Sequence, residues 1–272
     1  MVKGLYTAYT GMVNQQNRMD VLTNNLANSA TTGYKKEGTV SQSFDETLAI
    51  KIKDTSDYSI PKGIGDISLG AKIGETYTDY GQGAFRVTDN DYDLAIDGDG
   101  FFAISFTNKA GVSSIKYTRD GAFTMTKEGY LVTKDGDFLL NKAAALASNN
   151  QIVNGVPTGA IQLDPRLNFR VDEGGNIYQN NNLITQVGLV NIDDYNYISK
   201  YGENMYDLVE GGNVVDSDAR ISQGTLEQSN VNVVSEMVEM ITLTRSYEAN
   251  QKIIQTIDSM LDKSVNSIGT LR

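Results

Sequence analysis

Residues Gly224 to Ile268 read GTLEQSNVNVVSEMVEMITLTRSYEANQKIIQTIDSMLDKSVNSI, and this stretch decides the fold. From Val233 an apolar residue returns at every seventh position, as Val233, Met240, Tyr247, Ile254, Leu261 and Ile268, with Met237, Ile241, Ile257 and Val265 beside that column. Such spacing predicts a long amphipathic helix. No Gly or Pro interrupts the run before Gly269. Asn230 or Asn232 can cap its start, since a short side-chain oxygen accepts a hydrogen bond from an otherwise orphan amide. At about 1.5 Å per residue the helix would span roughly 55 Å, more than the width of a domain of this size. Much of it must therefore pack on something else.

Residues 4 to 29 repeat the pattern. Leu5, Met12, Met19 and Leu26 stand seven apart, with Ala8 and Leu22 beside them. From Gly4 to Ala30 only Arg18 and Asp20 are charged, and the other polar residues are Thr, Asn, Gln, Ser and Tyr. A solvated helix usually carries many Lys and Glu, whereas uncharged polar groups are buried between helices at lower cost than charges. This helix is expected to be surrounded by others, from neighbouring copies. It should stop in ANSATTGYK, residues 27–35, where Asn28, Thr31, Thr32 and Gly33 are turn-forming types and Gly33 can adopt the left-handed conformation that ends a helix.

Between the two helices the period changes. Residues 36–63 are weakly patterned and read as an extended connector with one hairpin. From Ile64 apolar and polar residues alternate, with Ile67, Leu69, Ala71 and Ile73 against Asp66, Ser68, Gly70 and Lys72, as in a half-buried strand. Short β-rich runs follow at 94–104, 115–125, 130–140, 169–178, 185–192 and 200–206, separated by Asp-Gly or Glu-Gly turns. These predict an antiparallel β domain of hairpins over 64–222. Residues 141–166 and 207–222 carry no signal that places an element. The expected fold class is α+β: long N- and C-terminal amphipathic helices (1–35 and 223–272) forming a coiled-coil-like helical domain, a connector, and a central antiparallel all-β domain.

Composition bounds the chemistry. The 272 residues carry a formal net charge of −11 with no histidine and no cysteine. The acidity argues against a nucleic-acid partner, and disulfides, Cys or His metal sites and imidazole acid–base chemistry are excluded. No run of about 18 apolar residues exists and no secretory signal is apparent, so the chain is expected to be soluble and any export signal-less. Asp89, Asp91, Asp93, Asp97 and Asp99 suggest calcium, yet counting from Asp89 the sixth position is Leu94 rather than Gly and the twelfth is Gly100 rather than Glu, which breaks the EF-hand spacing. Acidic turn residues are the better reading. Gly98-x-Gly100-x-x-Ala103 precedes a strand, where a dinucleotide site needs a helix N-terminus. No phosphate loop or nucleophile elbow is present. No cofactor, metal or catalytic residue is assigned. A cell-wall glycan enzyme built on two of the 34 acids, and a surface fibre with a helical stalk and β head, are the readings from other classes.

The chain ends carry more than periodicity. Ala27, Asn28, Thr31, Gly33, Tyr34 and Lys35 form an A-N-x-x-T-x-G-[FY]-K string after an amphipathic helix, which resembles the N-terminal signature of bacterial flagellar rod and hook proteins. Gly224, Leu226, Glu227, Ser229, Asn230 and Val231, then Glu236-Met237-Val238 and Arg245-x-Tyr247-Glu248-x-Asn250, resemble the C-terminal signature, that of the distal-rod branch most of all. Tyr117-Thr118-Arg119-Asp120-Gly121 and Gly202-x-Asn204-Met205-Tyr206 look like the central β domain. The resemblance implies a non-catalytic rod subunit whose copies form a helical homo-oligomer, a hollow shaft transmitting torque from motor to hook. Implied partners are other rod proteins, the hook protein, the flagellar type III export apparatus and, where an outer membrane exists, rod-surrounding rings. The implied location is the basal body outside the inner membrane, with export and no cleaved signal peptide. In that setting Leu5, Met12, Met19, Leu22 and Leu26 would pack on Val233, Met237, Met240, Ile241, Tyr247, Ile254 and Leu261 of the same and adjacent copies, with Met adapting to differing neighbours. A proximal-rod or small hook protein is the alternative within the family.

Overall fold

The computed structural model describes residues 2–50, 63–108, 112–147, 152–153, 156–202 and 204–268. It has an N-terminal helix, central antiparallel sheets and a C-terminal helix, divided between two compact units. One comprises Met1–Ala27, Glu37–Asp79 and Asn232–Arg272, the other Asn28–Lys36 and Tyr80–Val231.

In the first unit, helix α1 (Val2–Ala27) lies against the C-terminal helix (Val233–Lys263), which runs on through one wider π-type turn at Ser264–Ile268. Asn232 caps the C-terminal helix, its side chain accepting from Val234 N at 3.1 Å and Ser235 N at 3.3 Å. Replacing Asn232 by Ala is expected to cost about 1 kcal/mol, read as a lower urea midpoint for loss of the helical circular-dichroism signal, with Asn232→Asp recovering most of it. An unchanged midpoint would show that the cap contributes nothing.

The two helices are antiparallel. Gly4 abuts Ile257, Gly11 abuts Asn250, and Asn25 Nδ2 donates to Glu236 Oε2 at 3.3 Å. As the number rises along one helix it falls along the other. A Cβ at Gly11 would sit 3.0 Å from Asn250 Nδ2, so glycine permits the close approach. Gly4, Gly11 and Asn25 share a seven-residue column that also contains Arg18, whose Nη2 donates to Glu239 Oε1 at 2.9 Å. This facing column is glycine and polar, one position before Leu5, Met12, Met19 and Leu26. Of the expected seam residues, Leu22 is buried. Met12, Met19, Leu26, Met240, Tyr247 and Ile254 are half-buried, and Leu5, Val233, Met237, Ile241 and Leu261 are exposed. Sequence periodicity located amphipathic faces but could not say which face meets which partner.

Strands complete this unit. Glu37–Ser43 pairs antiparallel with Ala71–Thr78, and Thr47–Ile50 with Gly63–Ile67. The alternating run expected as one strand from Ile64 is thus two strands broken at Ser68–Gly70. There the Ser68 hydroxyl donates to the Phe44 carbonyl (3.0 Å) and the Thr7 hydroxyl of α1 donates to the Leu69 carbonyl (3.2 Å), hydrogen bonds made away from a strand ladder.

The second unit is built on a nine-stranded antiparallel sheet. Its central strand, Phe101–Thr107, pairs with Ser113–Thr118, Phe138–Leu139 and Leu189–Ile192. Phe102 and Ile104 enter one core, with Leu94, Phe123, Leu139 and Ile177. Phe101 and Ala103 enter another, with Tyr117, Val190 and Tyr206. Burial on both faces explains why FFAI is apolar throughout rather than alternating. Not every Asp-Gly pair makes a hairpin. Gly98–Gly100 joins Leu94–Asp97, which pairs with Arg220–Gln223, to a strand of a different sheet. Conversely, Asn180 and Asn181, with φ of 51° and 62°, make a two-residue turn in the three-stranded sheet Phe169–Val171, Asn176–Gln179, Asn182–Gln186. A reading confined to glycine passed over it, although asparagine also tolerates left-handed backbone. The unplaced stretches contain a short helix α2 (Lys142–Ala147) and the strands Ile152–Val153, Val156–Pro157, Val214–Asp216 and Arg220–Gln223.

Candidate functional site

The terminal strings meet inside the second unit, at a buried ionic cluster. Strand Thr225–Glu227 pairs with Phe85–Val87 and carries Glu227 into the interior. Its carboxylate accepts from Lys35 Nζ at 2.5 Å, Gly83 N at 2.8 Å and Arg119 Nη1 at 3.5 Å. The side chains of Lys35 and Glu227 are both 0% exposed and that of Arg119 is 2%. Lys35 also donates to the Gly81 carbonyl at 2.9 Å, and the Arg119 guanidinium lies 5.3 Å from the Phe101 ring centre. Arg119 Nε meets no acceptor among the described residues. Charges are tolerated at such depth only when paired and hydrogen-bonded, so the three hold one another in place.

Local turn chemistry delivers Lys35 to this position. The Thr31 amide donates to the Asn28 carbonyl at 3.2 Å, and the Thr31 hydroxyl to Asn28 Oδ1 at 3.3 Å. Gly33 has φ of 68°, and its amide donates to the Glu227 carbonyl at 2.9 Å. A Cβ there would fall 2.5 Å from the Arg119 carbonyl carbon, so no other residue fits. Tyr34 is fully buried with Lys200 Nζ 4.3 Å from its ring centre. The Thr32 hydroxyl donates to Asp120 Oδ1 at 2.7 Å.

The other string closes the same cluster. Asn230 Oδ1 accepts from Lys36 N at 2.7 Å while its Nδ2 donates to the Gly81 carbonyl at 3.2 Å. Leu226 and Val231 are buried, and Ser229 Oγ accepts from Val231 N at 3.3 Å. Gly224, at φ of 74°, donates to the Asp93 carbonyl and accepts from Thr88 N, both at 2.8 Å. Ala27 ends α1 and is exposed. The central strings join in. Asp120 Oδ2 accepts from Asn204 Nδ2 at 3.4 Å, and the Thr118 hydroxyl donates to the Asn204 carbonyl at 2.7 Å. Sequence reasoning singled out these strings separately. It missed Arg119 as the second cation on Glu227, and the Gly81 and Gly83 backbone groups, because nothing in linear spacing announces a contact across more than a hundred residues.

Chemically the cluster is a clamp. Glu227 is sealed from solvent and engaged by three donors, so it reaches no substrate. In the acidic stretch 89–99 Asp93 is buried and accepts from Asn90 Nδ2 at 3.1 Å, while Asp89, Asp91, Asp97 and Asp99 are exposed. Through the clamp the β unit locks in the residues that flank two long terminal helices.

Comparison with known proteins names the family. Residues 5–35 match the family described as flagella basal body rod protein, 95–199 the flagellar hook protein FlgE/F/G D1 domain, and 222–268 the flagellar basal body rod FlgEFG protein C-terminal region. The chain is 31% identical to the flagellar basal-body rod protein FlgG of Buchnera aphidicola subsp. Schizaphis graminum, over 97% of this chain and 98% of that protein. It is 31% identical to the rod protein FlgF of Caulobacter vibrioides and 30% identical to the flagellar hook-basal body complex protein FlhO of Bacillus subtilis, each over the full length of both chains. The chain belongs to the flagellar basal-body rod protein family, a family of structural proteins of the flagellum. No described helix is long and apolar enough to cross a membrane.

Proposed function

We propose that this chain is a rod subunit whose copies stack helically into a hollow, torque-transmitting shaft, and that its place is the distal rod. The observation that carries the reading is a pair of uncovered apolar stripes on the helices. Val234, Met237, Val238 and Ile241 follow helical spacing and are all exposed, and so do Tyr6, Tyr9 and Val13 on α1. Since Gly4 abuts Ile257 and Gly11 abuts Asn250, the α1 stripe lies toward the opposite end of the helix pair from Val234–Ile241. Two unlike patches at opposite ends suit a head-to-tail contact, the heterologous kind that propagates into open helical assemblies. Coiled-coil-like packing then arises between copies, where Met237 and its neighbours adapt to differing surroundings. Other rod proteins and the hook protein are the partners at the ends of the stack, with rod-surrounding rings where an outer membrane exists. Delivery runs through the flagellar type III export apparatus.

Distal placement rests on the likeness of 224–250 to the distal branch. Electron microscopy of basal bodies from a strain lacking this chain tests it. The expected particle is an inner-membrane ring bearing a short rod and no hook. A ring with no rod at all would move the chain to the proximal rod, and normal hooks would overturn the rod reading.

A further inference from the structure

The three-stranded sheet of residues 169–186 has one face turned to the core and one left open. Phe169, Val171, Ile177 and Gln179 are buried. On the other face Arg170 stands directly opposite Tyr178 in the register, with Asn168 and Asp172 two residues to either side of Arg170 and Asn180 two beyond Tyr178. These residues, with Asn181 and the edge of the otherwise buried Phe169, line a cleft of about 500 Å³ that is half open to solvent, within the roughly 300–1,000 Å³ range of small-ligand sites. The side chains of Asn168, Arg170, Tyr178, Asn180 and Asn181 make no hydrogen bond or ion pair with any described residue. Asp172 Oδ1 accepts only the amide of Glu173, at 3.0 Å. The cleft therefore presents three unengaged carboxamides, a guanidinium and a half-buried phenol ring.

From this lining we infer that the cleft binds a neutral saccharide. A carboxamide donates and accepts at once, as a sugar hydroxyl or acetamide does, so three of them around a cavity match a ligand of that double character. The Tyr178 ring offers an apolar face with a polar tip, suited to the C–H side of a pyranose whose rim carries hydroxyls. Arg170 and Asp172 supply one charge of each sign, which leaves no net field to recruit an ion. The chain's −11 charge works against a polyanion. An extended peptide would instead seek unpaired backbone at a sheet edge, whereas this site is on a face.

Saturation-transfer NMR on the full chain tests the inference, with N-acetylglucosamine trimer and maltotriose as probes and a sulfated disaccharide as the charged comparison. The test reads the soluble protein and is independent of rod assembly. Transfer to the pyranose ring protons of at least one neutral probe is expected, with none to the sulfated sugar. Arg170→Ala should weaken binding roughly tenfold, about the loss of one well-formed hydrogen bond. Tyr178→Ala should abolish transfer while Tyr178→Phe keeps it. Absence of transfer to both neutral probes, a preference for the sulfated sugar, or binding that survives both Arg170→Ala and Tyr178→Ala would overturn the assignment.

Discussion

Replacing Glu227 by Ala is expected to destabilise the β unit by about 3–5 kcal/mol, the cost of breaking a buried ion pair by deleting one member. The carboxylate serves Lys35, Arg119 and the Gly83 amide together. Its loss takes that acceptor from all three at once in a site without solvent, and leaves Lys35 only neutral acceptors such as the Gly81 carbonyl. Lys35→Met removes one donor but leaves Glu227 with Arg119 and Gly83, and the Gly81 carbonyl keeps the Asn230 amide. The two substitutions should therefore differ, Glu227→Ala costing clearly more. Urea unfolding followed by near-ultraviolet circular dichroism suits a chain with 15 Tyr and no Trp. Equal costs, or a larger cost for Lys35→Met, would mean that Glu227 is not the centre of the clamp. Because the clamp fixes the turns that flank both helices, cells carrying Glu227→Ala should also fail to swim.

The second large effect is expected from Val238→Asp combined with Ile241→Asp. Both side chains are more than half exposed, 59% and 54%, so the isolated protein should keep its stability to within about 0.5 kcal/mol. In the rod the same positions would be desolvated against a neighbouring copy. Burying an apolar side chain there contributes about 1.5–3 kcal/mol each, and a carboxylate without a partner reverses the sign at a cost of several kcal/mol. Repeated at every subunit, that stops polymer growth. The expected outcome is a normally folded, exported monomer, no rod beyond the point where this chain enters, and no motility. Normal swimming by the double variant would remove these stripes from the assembly surface. A monomer that unfolds more easily would instead place the stripe inside the chain's own fold.

Much of the architecture was legible in the sequence because it depends on local periodicity. A seven-residue apolar repeat without Gly or Pro from Val233 announces a helix by local spacing alone, and an asparagine at 232 caps it by reaching amides two and three residues on. The turn at Gly33 was legible too, since a left-handed φ is a property of one residue and its neighbours. The strings at 27–35 and 224–231 were visible as patterns, but not their purpose. That Lys35 and Glu227 touch is a contact between residues 192 apart in sequence, and no local rule reports it. Tertiary structure alone decided which helix face pairs inside the chain. The apolar column at Leu5, Met12, Met19 and Leu26 invited an apolar seam. Within the chain Gly4, Gly11 and Asn25 face the other helix, where small side chains let two backbones approach and polar ones meet across the gap, while Ala8, Leu22 and Leu243 are buried. That choice leaves apolar stripes uncovered, and it is this remainder, set by packing rather than by periodicity, on which the proposed assembly rests.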